Sequence, residues 1–307
     1  MTSDPALTAT AIGGRVGGEF GRRVRAYVRL TKPRVVELLL VTTVPAMVVA
    51  ARGWPRTGLV IAVVIAGALA AGGANTINSW IERDRDRLMH RTAQRPLVTG
   101  EIPAWHGLAF GIGLNVIAFA VLSITANVLA AVLTLSATLF YVFVYTIWLK
   151  PRTDQNIVIG GAAGAVPVLV GFAAVSDHVP AAAWVLFAVI FCWTPAHFWA
   201  LAMRYRDDYA TAGYPMLPVH KSGRTTALQI TTYAALTTVV TLLLGTATTV
   251  GPVYIVSAAV LGVVFIVRAL ALVRDPDSRR AIKFFAWSNI YLMLVFAALM
   301  VDVFVRN

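Results

Sequence analysis

Asn78, Glu82 and Asp86 stand four residues apart in the stretch NTINSWIERDRDRLMHRTAQRPL, residues 75–97. A helix turns about 100° per residue, so the three side chains spread over an arc of about 80° and form one stripe of oxygen atoms. Asp84 points away from that stripe. Oxygen ligands at this spacing suit a hard divalent cation, and Mg2+ is typically held by one or two carboxylates together with substrate phosphates. A second acidic pair, Asp207 and Asp208, occurs in RYRDDYATAGYPMLP. Facing the first stripe across a bundle, it would hold a second Mg2+ on the same pyrophosphate. An isolated acidic run at a membrane edge is more often a solvated helix end whose acids pair with neighbouring arginines, here Arg83, Arg85 and Arg87. The recurrence of acids at the equivalent place in the second half of the chain favours the metal. Diphosphate also needs cations and hydrogen-bond donors. The candidates are Arg91, Arg95, Lys150, Arg152, Lys221 and Arg224, of which Arg91, Arg95 and Lys150 lie closest to the motif-bearing helix ends.

These groups have to be carried by elements suited to lipid. Of the 307 residues, 58% are hydrophobic and only 13% charged, and the mean hydropathy is +0.75. A soluble domain carries about a quarter charged residues. Apolar runs long enough to span the hydrocarbon as helices recur nine times, at 35–51, 58–80, 104–124, 126–148, 157–175, 182–203, 226–248, 252–273 and 284–304. The fold expected is an all-α polytopic membrane protein of nine transmembrane helices. Residues 1–30 form a basic arm, and 31–307 a single transmembrane domain.

Charge sets the orientation. With the N-terminus cytoplasmic and the C-terminus extracytoplasmic, 23 of the 26 lysines and arginines fall on the cytoplasmic side, leaving Arg52, Arg56 and Arg306 outside. This is the positive-inside asymmetry. It explains the net charge of +12 without nucleic acid, which is not an expected partner. Cys192 is the only cysteine, so no intramolecular disulfide is expected. The first thirty residues lack the apolar core of a removable secretory signal. Their Arg-rich composition also suits a mitochondrial transit peptide, but a basic cytoplasmic flank is the simpler reading, and it points to a cell membrane. The two long cytoplasmic loops follow spans two and six, which suggests a parallel pseudo-repeat of spans one to four and five to eight, with span nine appended.

His197 lies inside span six, where a polar residue faces the bundle interior. It either touches substrate or hydrogen-bonds to a neighbouring helix. Asn156 opens NIVIGGAAGAVP as a helix cap or a pocket donor, and Tyr145 is grouped with these two as a pocket residue. Trp148, Trp193 and Trp199 are expected in the interfacial belt or the core.

Taken together, four segments resemble the UbiA superfamily of intramembrane prenyltransferases. They are LTKPRVVELL at 30–39, the 75–97 stretch with RTAQRPL, YTIWLKPRTDQNIVIGGAAGAVP at 145–167, and WTPAHFWALAMRYRDDYATAGYPMLPV at 193–219. The last two resemble the haem-modifying branch. Asn78, Glu82 and Asp86 fill the first family motif, with Glu82 where Asp is usual. Asp207 and Asp208 match the haem branch, since position 211 is Thr where the superfamily often has a second Asp. The resemblance implies Mg2+-dependent transfer of farnesyl from farnesyl diphosphate to a vinyl group of haem B, with water adding to give a hydroxyethylfarnesyl chain. It also implies an active site at the cytoplasmic mouth of the bundle. A downstream haem A synthase, or assembly factors of a respiratory oxidase, would be its partners. The rival acceptor is an aromatic or quinone precursor. A transporter of ions or anions is the rival of a different class, and it would carry acids at mid-span or on the far side. Apart from Glu37, the acids gather at the cytoplasmic ends, with Asp177 and Asp302 near the opposite surface.

Overall fold

The structure, a computed structural model, describes residues 20–306, and of residues 34–40 the backbone alone. Most of the arm expected over 1–30 therefore lies outside the described residues, and the rest, 20–30, is helical. Among the described residues there is no strand. The described residues form nine long helices: α1 Pro33–Ala51, α2 Thr57–Asp86, α3 Ala104–Thr125, α4 Val128–Leu149, α5 Asn156–Ser176, α6 Ala181–Arg204, α7 Gly223–Ala247, α8 Pro252–Arg274 and α9 Ser278–Arg306. Helices α2 to α9 are long and apolar enough to cross a membrane, and α1 contributes the shorter apolar run Val41–Ala51. In hydrocarbon each backbone N–H and C=O must be satisfied within the segment, which leaves helices as the solution for such runs.

The helix ends follow from local chemistry. Asn127 accepts from the Ala130 N–H at 2.8 Å to start α4, and Ser222 accepts from the Thr225 N–H at 3.1 Å to start α7. Helix α8 has no cap of its own. Asp302 of α9, buried, accepts from the Gly251 N–H at 2.7 Å and the Tyr254 N–H at 3.2 Å instead. One helix thus satisfies the orphan donors of the next.

Packing runs around two groups of helices. Helices α1 to α5 contact one another in chain order and close through α5 against α1; α6 to α9 do the same and close through α9 against α6. The groups join where α5 meets α6 and α9 meets α1. Helix α2 packs closely on α3. A Cβ on Gly73 would stand 2.6 Å from the Gly111 carbonyl oxygen, and one on Gly111 would stand 2.9 Å from that of Gly73, so small residues let the backbones touch. The outer face is apolar: Val256, Val260, Val263 and Val267 form an exposed row on α8 at helical spacing. Trp54, Trp105, Trp148 and Trp184 are exposed near helix ends, as an interfacial belt requires, while Trp193 and Trp199 are core residues.

The arrangement of nine spans with an inward N-terminal flank can be checked with cysteines introduced at Val24 and Trp54 in a Cys192→Ser background. The expected outcome is labelling of position 24 from the cytoplasmic side only and of position 54 from the outside only. Labelling of both from one side would remove α1 as a span.

Candidate active site

Helix α2 continues unbroken past its apolar run to Asp86, so the stripe rides on a rigid element. Asn78, Glu82 and Asp86 are 2%, 5% and 2% exposed. The Asp84 side chain is 73% exposed and faces only Arg83, at 4.0 Å. Helical periodicity thus separates three buried oxygen donors from one solvated acid, as the spacing implied.

Three cations from three different segments meet this stripe. The Lys150 ammonium, at the end of α4, donates to Glu82 Oε1. The Arg95 guanidinium donates to Asp86 Oδ2, because the loop after α2 folds back, pinned by the Thr92 hydroxyl on the Asp86 carbonyl at 2.9 Å. The Lys32 ammonium donates to Asn78 Oδ1 at 2.9 Å, and the Asn78 amide donates onward to Thr146 Oγ1 at 3.2 Å. Lys32 holds a left-handed backbone, φ 51° and ψ 62°, directly before Pro33. That conformation costs an L-residue about 1–2 kcal/mol, and here it accompanies an ammonium aimed at the stripe. Burial, and then the neighbouring Arg95, hold the Lys32 ammonium well below its usual pKa.

An aromatic wall stands beside the cations. Tyr141 and Tyr145 of α4 stack at 5.4 Å and 25°. The Lys150 ammonium lies 5.8 Å from the Tyr145 ring centroid and 4.6 Å from that of Tyr214. The Arg85 guanidinium lies 4.8 Å from the Tyr214 centroid. Burial, followed by the negative Glu82, raises the Tyr214 phenol above its usual range, so it stays protonated. Gly160 on α5 makes room for Tyr145, whose ring any Cβ there would strike.

The remaining expected residues fall differently. Asp208 is half-buried and accepts from the Arg91 N–H at 3.2 Å, whereas Asp207 is exposed. Among the described residues no three acids, histidines or cysteines come together as a metal site. Asp208 fixes the returning loop that carries Arg91 and Arg95. Arg91 is exposed, 5.2 Å from the Tyr205 ring centroid. Arg152 donates to the carbonyls of Ile147 at 2.8 Å and Trp148 at 3.0 Å, so it terminates α4 instead of reaching the stripe. Lys221 and Arg224 are exposed at the start of α7.

His197 is tied to α9. Its ring lies between Trp193 at 4.2 Å and Phe285 at 4.3 Å, and Nδ1 meets Ser288 Oγ at 2.7 Å. The Ser288 hydroxyl donates its proton to the Phe285 carbonyl at 2.7 Å. His197 Nδ1 must then be the donor, which leaves the lone pair on Nε2. Of the two readings of this residue, the bond to a neighbouring helix is present. Asn156, fully buried, donates back to the Thr153 carbonyl, and its Oδ1 has no hydrogen-bond partner. Sequence reasoning passed over Lys32, Tyr141, Thr146 and Tyr214. Tyr141 stands one turn before Tyr145, a usable signal; Lys32 was absorbed into the topological charge.

The donor set suits one divalent cation. Two carboxylates one turn apart, with an amide oxygen on the same face, are the ligands Mg2+ takes when phosphate completes its shell. Each carboxylate is engaged through a single named oxygen, Oε1 of Glu82 and Oδ2 of Asp86.

The UbiA prenyltransferase family matches residues 39–293. Protoheme IX farnesyltransferase 1 of Saccharopolyspora erythraea is 52% identical over 278 residues, covering 90% of this chain and 89% of that one. The protoheme IX farnesyltransferase of Thermus thermophilus is 47% identical over 285 residues; these are 93% of this chain but only 47% of the longer relative. Among solved structures, one of digeranylgeranylglyceryl phosphate synthase superposes with a TM-score of 0.74 at 17% identity, covering 92% of this chain and 98% of that one. A UbiA homolog from Archaeoglobus fulgidus bound to DMAPP and Mg2+ gives 0.64 at 18%, covering 89% and 98%. At these identities the structures establish the fold alone.

Removing one member of a buried pair strands the other charge. Lys150→Met is expected to lower stability in detergent by about 3 kcal/mol, measured by reversible denaturant unfolding. The double variant Lys150→Met with Glu82→Leu recovers most of that loss. No recovery in the double variant would show that the pair is not what holds α4 to α2.

Proposed function

The chain belongs to the UbiA prenyltransferase family, and we propose that it transfers farnesyl from farnesyl diphosphate to a vinyl group of haem B, giving haem O and diphosphate. The observation that carries this reading is the buried Asn78–Glu82–Asp86 stripe met by Lys32, Lys150 and Arg95. Such an array binds a metal-complexed diphosphate, and the acceptor follows from the relatives named for haem.

In the reaction the C1–O bond of farnesyl diphosphate breaks and its electron pair leaves with the diphosphate. The vinyl π pair forms the new carbon–carbon bond to C1, and a water oxygen adds to the resulting benzylic-type cation while losing a proton. Bound at Asn78, Glu82 and Asp86, Mg2+ would neutralise charge on the leaving group. Lys150 and Arg95 lie where they can shift from the carboxylates onto phosphate oxygens, and Lys32 adds a third donor. Fixed cations in a dry site need no reorganisation as charge develops, which is why this form of stabilisation is large. The Tyr141 and Tyr145 ring faces present their negative quadrupole to an allylic cation. They also help exclude the water that would quench it.

We place the site at the cytoplasmic mouth of the bundle in a cell membrane, on the basis of the basic residues around it. His197 Nε2 and Asn156 Oδ1 are proposed to face the haem side. The pseudo-repeat of α1 to α4 and α5 to α8 remains a proposal resting on the placement of the acidic stretches.

Two experiments test this reading. With haem B, farnesyl diphosphate and Mg2+, the purified protein is expected to yield haem O by mass and to leave 4-hydroxybenzoate unprenylated; turnover of the benzoate alone would reassign the acceptor. Within the stripe, Asp86→Asn is expected to abolish turnover, Glu82→Asp to retain more activity than Glu82→Gln, and Asp84→Asn to behave almost as wild type. Equal activity of Asp86→Asn and Asp84→Asn in monodisperse protein would sink the shared-face metal site.

A further inference from the structure

The last ten residues of α4, Phe140–Leu149, form a π-helix. Stretches of this kind are rare, usually a single turn, and frequent at functional sites. Here the register determines which side chains share a face. In an α-helix, residues five apart point about 140° away from each other. Tyr141 and Tyr145 would then lie on one side of α4, with Thr146 and Lys150 on the other. The π register brings five-apart residues together: the Lys150 N–H bonds the Tyr145 carbonyl at 2.8 Å, and the Thr146 hydroxyl bonds the Tyr141 carbonyl at 2.9 Å.

From this arrangement we infer that Thr146 is a positioning residue that orients Asn78 for metal binding. The Thr146 proton is committed to the Tyr141 carbonyl, so Oγ1 presents a lone pair, and the Asn78 amide nitrogen donates to it at 3.2 Å. An amide held by its nitrogen has its oxygen on the opposite side. Asn78 Oδ1 accordingly faces the Lys32 ammonium and the mouth of the site. Without Thr146 the amide could flip and offer N–H groups, which no cation accepts. Thr146 is 4% exposed and the Asn78–Thr146 bond is buried, so water cannot substitute for the hydroxyl. The same π turn delivers Lys150 to Glu82, making this one segment responsible for two contacts on the stripe. The inference rests on the metal–diphosphate reading above.

Outer partners of metal ligands typically change metal affinity about 10–100-fold. Thr146→Val, an isosteric change, is therefore expected to raise the Mg2+ concentration for half-maximal haem O formation about tenfold. Thr146→Ala should match it, and Thr146→Ser should stay within about twofold of wild type, because the hydroxyl is the determinant. The lost buried bond is expected to lower the thermal midpoint in detergent modestly, but the KM for haem B is expected to remain unchanged while the Mg2+ requirement rises, a split that a merely structural role would not produce. An unaltered Mg2+ requirement in Thr146→Val, or a Thr146→Ser variant no better than Thr146→Val, overturns the inference. Asp86→Asn is assayed alongside. If it is inactive while Thr146→Val keeps the wild-type requirement, only the role of Thr146 fails. If Asp86→Asn keeps full activity, the metal reading fails, and the inference with it.

Discussion

A carboxylate taken out of water has to be compensated, and at the end of α2 this applies to two carboxylates one turn apart. Leaving one such charge buried and unpaired costs several kcal/mol. Glu82 and Asp86 meet the demand with Lys150 and Arg95, and much of the architecture around the site follows from that. Lys150 has to be brought from α4, Arg95 from a loop that doubles back, and Lys32 from the turn before α1. These segments are far apart in sequence. Burying two acids therefore fixes the mutual placement of α1, α2 and α4 at this end of the bundle.

Lipid supplies little hydrophobic drive between helices, so association depends on close packing and interhelical hydrogen bonds. Gly73 against Gly111 provides the close packing between α2 and α3. Polar side chains add cross-links, such as the Thr138 hydroxyl on Asn115 Oδ1 at 2.7 Å and the Tyr254 hydroxyl on the Thr241 carbonyl at 2.8 Å. The site is consequently held by helices whose contacts resist small shifts. That rigidity is what a preorganised array of charges requires.

How much of this was legible in the sequence depended on whether an element obeys its ideal period. Helix α2 does, so the buried face of Asn78, Glu82 and Asp86 and the exposed Asp84 follow from spacing alone. The helical class and the apolar runs follow from composition. Helix α4 departs from the period: FYVFVYTIWL is a uniform apolar run, and nothing in it marks a change from four-apart to five-apart bonding. Thr146 was invisible for that reason, and Lys150 was reachable only because it lies just beyond an apolar run. Lys32 was hidden by a different cause. In a chain whose basic residues report topology, one cation that turns inward is indistinguishable from its neighbours. Adjacency in sequence says nothing about which groups a loop will bring together, so the Arg91 N–H on Asp208 could not be read from RYRDDY.

Charge balance bears on how many metal ions the site needs. The groups that touch on the stripe comprise three bases, Lys32, Arg95 and Lys150, and two carboxylates, Glu82 and Asp86, a net charge of one positive once a bound anion holds Lys32 protonated. A diphosphate ester carries about three negative charges near neutral pH. One Mg2+ brings the protein side to about three positive charges, and the complex is then neutral. A second Mg2+ would leave about two positive charges uncompensated in a low-dielectric pocket, unless further carboxylates joined it. Asp208 accepts from the Arg91 N–H, and Asp207 is exposed. On this count the lysines and the arginine can carry the charge that a second metal ion would otherwise supply. An ammonium and a guanidinium also supply directed hydrogen bonds to the departing oxygens. The arrangement of charge in the free protein already favours a leaving group of this size and sign.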